Sequence, residues 1–347
     1  AFHADKHIGD LLADPDELSL SAALALFDYQ PDYCAQLMEW AMHAWENVMY
    51  QFAPEGAWEE GVTYWNFAIR YYVPCIDVMN WFLGTDYGYF DDIEGVSRTG
   101  YYPPYMTGPM GQFNYHDAGE GFERTEAHFW MAKRLNDPDL GGYRMNQILQ
   151  GNSGTSVYDL LWYDPAYCNL DVDLPRDGLF DAKVTTATFR SNWTDRGALF
   201  GGIHGAYNNV NHGHVDVGTF VLDALGVRWA CDLGADAYAL PSYMSNPNVY
   251  RRRAEGHNTI VVDPPGRQQG SYFYDQEPNA TGVVEQYVSK DKGGYVVMDI
   301  SQTNQKMASA KRGMFMLPGR EQLLVQDEIE LKSPGDVWWF MHTLSLI

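Results

Sequence analysis

The stretch HVDVGTFVLDALGVRWACD, residues 214–232, decides how the second half of this chain folds. Its apolar residues fall in short runs near a period of two, broken at Leu225-Gly226, which is the pattern of two strands joined by a tight turn. Similar segments surround it: AKVTTATFRSN (182–192), HNTIVVD (257–263), GGYVVMDIS (293–301) and GMFMLPGREQLLVQDEIEL (313–331), the last with its own turn signal at Pro318-Gly319. Strands joined by hairpin turns pair antiparallel.

Before about residue 168 the period is helical. Leu37, Trp40, Ala41, Ala44, Trp45 and Val48 recur every 3.6 residues behind a first turn at Pro31-Asp32. A second stripe runs through Tyr64, Phe67, Ala68, Tyr71, Tyr72, Cys75, Val78, Met79 and Phe82, with Pro74 expected to bend it. Only APEGAWEEG (53–61) lies between them, so the two helices are expected to be antiparallel neighbours, and residues 121–137 and 141–149 continue the series. Residues 84–120, rich in Gly, Pro and Tyr, are too long for a simple link and are a candidate functional loop. A run of helices followed by a run of strands predicts an α+β multidomain chain, with a helical lobe over 1–167 and an antiparallel β-sandwich over 168–347.

Composition narrows the function. The 347 residues carry a formal net charge of -23, which excludes a nucleic-acid partner, because phosphate binding needs clustered Lys and Arg. Aromatic residues make up 15% of the chain, with 24 Tyr and 11 Trp, a composition suited to stacking on flat sugar rings. Cys34, Cys75, Cys168 and Cys231 show no CxxC spacing and read as buried thiols. No apolar run of about 18 residues is present to span a membrane. The chain starts at Ala1 without Met and stops just after a strand-like run, so it reads as a fragment. The acidity fits a secreted or periplasmic location, and the missing leader says nothing against it.

The histidines are placed unevenly. NNVNHGHVDVGTF (208–220) sets His212 and His214 two apart, beside an amide-rich loop and Asp216. If 214–232 is a hairpin, His214 before its first strand returns close to Asp232 at the end of its second, and EGHNTIVVD (255–263) offers His257 at another strand entrance. Two imidazoles and a carboxylate suit Zn²⁺ or a similar divalent ion. The spacing equally allows histidines that only hydrogen-bond in a loop or core.

Three segments, NHGHVDVGTF (211–220), WACDLGADAY (229–238) and RAEGHNTIVVD (253–263), resemble the C-terminal β-domain of the heparinase II/III family of polysaccharide lyases. PEGAWEEGVTYWNFAIRYY (54–72) resembles the substrate-facing helix of that family's α/α toroid. The resemblance covers the chain from about residue 20 to its end. It implies an α/α toroid, incomplete here, followed by the sandwich. It also implies Tyr64 and His212 as catalytic groups, His214, Asp232 and His257 as ligands of a structural divalent metal, Zn²⁺ by preference, and Arg253 near the cleft.

The implied substrate is an acidic polysaccharide containing uronic acid, cleaved by β-elimination. A base removes the C5 proton, an acid protonates the departing C4 oxygen, and donors neutralise the carboxylate. A phenol with an ordinary pKa of about 10 is already an acid, whereas as a base it needs nearby positive charge. Tyr64 is therefore assigned to leaving-group protonation and proton abstraction, with His212 as the alternative base or carboxylate partner. Without the resemblance Tyr64 would read as one more core aromatic. Glu60, His116, Asp117 and Asn211 are candidates for contacting substrate, although Glu59 and Glu60 also fit a solvated helix start and Tyr115-His116-Asp117 a surface loop. YRRRAEG (250–256) is the main cationic cluster.

Two positions depart from the family. Ala68 stands where some members carry Arg, and Arg70 lies on another part of the helix. For the upstream group that neutralises the carboxylate, only His7 and Asp10 are available. The competing readings are a glycoside hydrolase using Glu60 and Asp117, a glycan-binding protein with an incomplete site, and an epimerase.

Overall fold

The computed structural model describes residues 18–181, 183–236, 249–264 and 276–344. His7 and Asp10 lie outside the described residues.

Helix α1 (Leu18–Leu26) leads into α2 (Pro31–Met49), where Pro31 occupies the first turn with Asp32 beside it. The face that α2 buries is Cys34, Leu37, Met38, Ala41, Trp45 and Met49. Trp40 and Val48, expected on that stripe, are exposed. Cys34, Met38 and Met49 complete the 3.6-residue stripe in their place, and Trp40 falls outside it. Helix α3 (Val62–Leu83) continues through Pro74 and ends on the left-handed Gly84. It starts from Gly61, whose φ of +88° only glycine adopts freely; an added Cβ would also press on Ala118 at 3.1 Å.

The segment from 84 to 120 is structured and largely buried. It carries a 3-10 turn over Val96–Tyr101, helix α4 (Tyr102–Met106), and a small hairpin of β1 (Thr107–Gly108) with β2 (Gly111–Gln112). Helices α5 (Ala127–Leu135), α6 (Pro138–Leu149) and α7 (Val157–Trp162) follow. Asp137 caps α6 and a Ser156/Asp159 capping box opens α7.

From residue 177 on, the regular elements are mostly strands. β3 (Asp177–Phe180), β4 (Thr186–Arg190), β5 (Phe200–His204), β6 (Phe220–Ala224) and β7 (Val227–Ala230) form an antiparallel sheet in chain order. The β6–β7 hairpin turns at Leu225-Gly226, both with positive φ, as the spacing predicts. β8 (Ile260–Val262) pairs with β13 (Val337–Trp339). β9 (Val283–Lys290), β10 (Gly293–Asp299), β11 (Met307–Met316) and β12 (Leu323–Leu331) make a four-stranded antiparallel sheet in the order β12-β11-β10-β9.

The two larger sheets share one core of Ala187, Phe189, Ile203, Phe220 and Ala230 against Val296, Met298, Met314 and Met316. The other face of the five-stranded sheet joins the helical core through Phe180, Phe200 and Val221. β4 and β5 are therefore buried at every position, whereas β12 alternates between half-buried and exposed. Such a sandwiched sheet needs thin spots: a Cβ on Gly202 would meet Phe113 at 2.6 Å.

Buried arginines lock the 84–120 segment to the sheet. Arg228 pairs with Asp223 at 2.7 Å and donates to the carbonyls of Gly111 and Gln112, both at 2.8 Å. Arg190 donates to the carbonyls of Pro104, Tyr105 and Thr107 and lies 3.6 Å over the Trp193 ring. These clamps carry residues 113–118 against the loop that bears His212 and His214.

Candidate active site and imidazole cluster

Tyr64, in the first turn of α3, meets His212 from the 208–219 loop, 148 residues later. The phenol oxygen is 3.1 Å from Nδ1, and the rings stack with centroids 4.3 Å apart. Both are half-buried, with the His212 side chain 25% exposed. His212 holds φ at +54°, uncommon for a residue with a side chain, and His116 opposite holds +56°. Gly213 makes the turn tight, because a Cβ there would strike the Asn208 carbonyl at 2.5 Å.

Asn211, exposed beside His212, donates to Glu60 Oε1 at 2.6 Å, and Trp58 Nε1 donates to Oε2 at 3.2 Å. Two candidate substrate contacts thus bond to each other across the junction of helices and sheet. Glu60 is buried and precedes the helix, which overturns the solvated-helix-start reading. Its partners, unreadable from local sequence, are what make burial of the carboxylate tolerable.

His116 and Asp117 are also buried, so they are neither a surface loop nor exposed groove wall. Asp117 Oδ2 lies 3.2 Å from His212 Nδ1, and Oδ1 lies 2.7 Å from His214 Nε2. Its backbone N–H donates to the His212 carbonyl at 3.3 Å. His116 instead faces Asp216, which accepts its backbone N–H at 2.9 Å and lies 3.1 Å from its Nδ1.

Behind His212 is a dry cluster of His116, His204, His214, Asp216, Asp232 and His257, all buried. His257 Nδ1 donates to Asp232 Oδ2 at 2.7 Å; Thr219 donates to that same oxygen and Gly234 N–H to the other. Asp232 is thereby filled with donors. Among the described residues His257 Nε2 and Asp216 Oδ1 have no hydrogen-bond partner. His214, Asp216 and His257 each offer a ligand atom, the three lying within 4.8 Å of one another, and His116, His204 and Asp216 form a second such group. This donor set fits a divalent cation, with Asp216 as the inner carboxylate and Asp232 orienting His257 from behind.

Burial penalises every charge here, and the neighbours decide the balance. It pushes the His204 imidazolium down to about 3. Burial alone would raise the Asp216 carboxyl, but His116 beside it holds it well below the usual carboxylate range. Burial opposes charge on His257 too, and Asp232 beside it overrides this and raises its pKa.

Of the expected site residues, the structure brings Tyr64 against His212 and Glu60 against Asn211 at the junction of helices and sheet, and His214, Asp232 and His257 to the buried cluster beside it. Arg253 pairs with Glu255 at 3.5 Å, one turn before His257. Asp216 and His204 were not among the expected ligands. Asp216 had a local signal, a carboxylate two residues past His214 at the entrance of an apolar strand; His204, inside β5, had none.

Residues 199–345 match the family model described as heparinase II/III-like, C-terminal. No curated protein matches the chain by sequence. Among solved structures it is similar to a heparinase III gene product (TM-score 0.71, 15% identity, 96% of this chain and 49% of that one). It is also similar to the heparan sulfate lyase HepC from Pedobacter heparinus (0.69, 13%, 94% and 47%) and to a further heparinase III (0.69, 16%, 92% and 47%). The chain spans about half the length of these structures. The HGH segment, Asp232 and His257 all lie inside the matched residues, so this part of the chain is a heparinase II/III-like C-terminal domain.

Proposed function

We propose that the chain carries the active site of a polysaccharide lyase acting on an acidic, uronate-containing glycan. The observation that supports this most directly is the 3.1 Å contact between the Tyr64 phenol and His212 at the half-exposed junction of helices and sheet. β-Elimination needs two proton-transfer groups on one sugar. The base takes the C5 proton, the electron pair left behind forms the C4–C5 double bond, the C4–O bond breaks, and the departing oxygen receives a proton. His212 and Tyr64 are placed to share these tasks, and Asn211 beside them offers a neutral donor toward the uronate carboxylate. Glu60 and Asp117, the pair a hydrolase would use, are buried and engaged by Asn211, Trp58, His212 and His214, which counts against hydrolysis.

The helices belong, on this reading, to part of an α/α toroid over 1–167, with the sandwich over 168–347, in a secreted or periplasmic protein. A divalent ion, Zn²⁺ by preference, would be held by His214, His257 and Asp216, with Asp232 supporting His257. Its contribution is architectural: it fixes the loop that carries His212, where an error of about 1 Å can cost roughly a hundredfold in rate. Among the described residues no helix is long and apolar enough to cross a membrane.

Elimination leaves a conjugated double bond that absorbs ultraviolet light, and hydrolysis does not. A panel of uronate polysaccharides followed by absorbance tests the proposal. Sugar release without absorbance would replace the lyase with a hydrolase, and binding without product would leave a glycan-binding protein.

A further inference from the structure

We propose that Arg190 and the small pocket it lines bind an oxyanion, a carboxylate or sulfate group, apart from the Tyr64–His212 pair. That the anion is a substituent of the glycan rests on the lyase reading; the binding itself does not.

Five arginines are buried among the described residues: Arg144, Arg190, Arg228, Arg312 and Arg320. Four of them close on a carboxylate. Arg144 meets Asp159, Arg228 meets Asp223 and Arg320 meets Asp177, each at 2.7 Å, and Arg312 meets Asp327 at 2.6 Å. Arg190 makes no such pair among the described residues. Its three hydrogen bonds all leave Nη2 for main-chain carbonyls, and its enclosed Nε has no partner. A charge held out of water needs an opposite charge as well as hydrogen bonds. Burial pushes the Arg190 guanidinium down to about 10, and the two carboxylates that act against this, Asp177 and Asp223, are already bonded by Arg320 and Arg228.

The missing counter-charge has a place to sit. Arg190 lines a cavity of about 50 Å³ between α6 and the loop that follows β4. That is room for about four water-sized groups, which suits a carboxylate or sulfate and leaves a sugar ring outside. Amides dominate its wall, with Asn146, Gln147 and Asn152 on one side and Asn192 beside Trp193 on the other. Trp193 is pinned by its Nε1 bond to the Leu174 carbonyl at 2.7 Å, so its 3.6 Å stack fixes the guanidinium plane before anything binds. A fixed guanidinium is the side chain best matched to an oxyanion. Asp195 and Arg196, both exposed, also line the cavity, and Asp195 turns Oδ1 to the Gly197 N–H at 2.8 Å. Phe122 lines it as well, and Glu123 next to Phe122 accepts from Thr63, the neighbour of Tyr64, at 2.9 Å. Two adjacent residues thus bridge the pocket to the helix that carries Tyr64.

The test uses the full chain with ¹⁵N-labelled arginine and sodium sulfate as the probe, against sodium chloride at equal ionic strength. We expect one arginine Nε–H signal to shift and saturate with sulfate and not with chloride. Replacing Arg190 would also strip the carbonyl clamp, so the variant is Asn192→Asp. Aspartate keeps Oδ1 for the N–H groups of Thr194 and Asp195, which Asn192 accepts at 2.8 Å, and adds a negative charge at the pocket. It should weaken sulfate about tenfold or more. The absence of a saturable shift overturns the inference, and so does sulfate binding of equal strength in Asn192→Asp. Sulfated and desulfated forms of one uronate oligosaccharide then separate the sources. A glycan-borne group moves the same signal at lower concentration than inorganic sulfate, and Asn192→Asp raises KM for that oligosaccharide about tenfold; for a free anion neither oligosaccharide outbinds sulfate. Failure of the lyase reading shows separately, as the absence of ultraviolet-absorbing product, and leaves the sulfate titration intact.

Discussion

The Tyr64–His212 pair and the cluster behind it use the same side chain in opposite ways. His212 is 25% exposed and stacks on Tyr64. His116, His204, His214 and His257 are 0 to 1% exposed, and their carboxylate neighbours are held in the same dry interior. Burial holds His204 neutral, while His116 beside Asp216 holds that carboxyl well below the usual range. A group that must exchange protons needs access and a poised partner. A group that must hold an ion needs a dry cage with lone pairs left over, as at Asp216 Oδ1 and His257 Nε2.

Substitutions can break this contrast, and the largest effect belongs at the Tyr64–His212 pair. Tyr64→Phe removes only a hydroxyl from a half-buried ring, so we expect about 10³-fold loss of kcat, read from ultraviolet product, with an unchanged urea midpoint. A variant as active as the unsubstituted chain would remove Tyr64 from the chemistry.

In the cluster the order should reverse, with stability and metal content responding first. Asp216→Asn should abolish stoichiometric Zn²⁺ binding and lower stability by about 3–5 kcal/mol, because it removes the buried carboxylate that faces the His116 ring and accepts its backbone N–H. Asp232→Asn should weaken Zn²⁺ about 10–100-fold, the usual cost of losing a group that orients a ligand. Chelator competition and metal analysis would rank the two, and the opposite ranking would make Asp232 the inner ligand.

Between the two regions lies the clamp. Arg228→Met should cost about 3–5 kcal/mol in urea unfolding, since it strands Asp223 and frees the carbonyls of Gly111 and Gln112. If the Tyr64–His212 contact depends on that clamp, kcat falls with it.

The smallest effect is expected from salt. The chain is acidic and so is the proposed substrate, so raising salt from about 50 to 200 mM should alter KM less than about threefold, not the 10³-fold or more typical of a protein with many phosphate contacts. A steep loss would reveal a cationic patch dominating recognition.

Much of this was legible locally. The hairpin at Leu225-Gly226 followed from strand period and turn chemistry, and the helix through Tyr64 from a 3.6-residue stripe, because both rest on neighbours in the chain. Hairpin closure and strand entrances brought out His214, Asp232 and His257 as candidate ligands, and motif resemblance gave Tyr64 and His212 their expected roles. Local pattern did not disclose Phe200–His204 as a strand, since a stretch buried on both faces and thinned by Gly201 and Gly202 carries no alternation.

The sequence by itself determined the order of helices before strands, the antiparallel hairpins and the unusual concentration of histidine around residue 212, because period, turn residues and spacing are properties of adjacent positions. Only the tertiary structure decided that Asp117 belongs to His212 and His214, that Glu60 belongs to Asn211, and that Asp216 stands at the centre of the imidazoles. A buried polar group takes its meaning from whichever partner satisfies it, and across 97 residues from Asp117 to His214, or 151 from Glu60 to Asn211, that partner is chosen by packing.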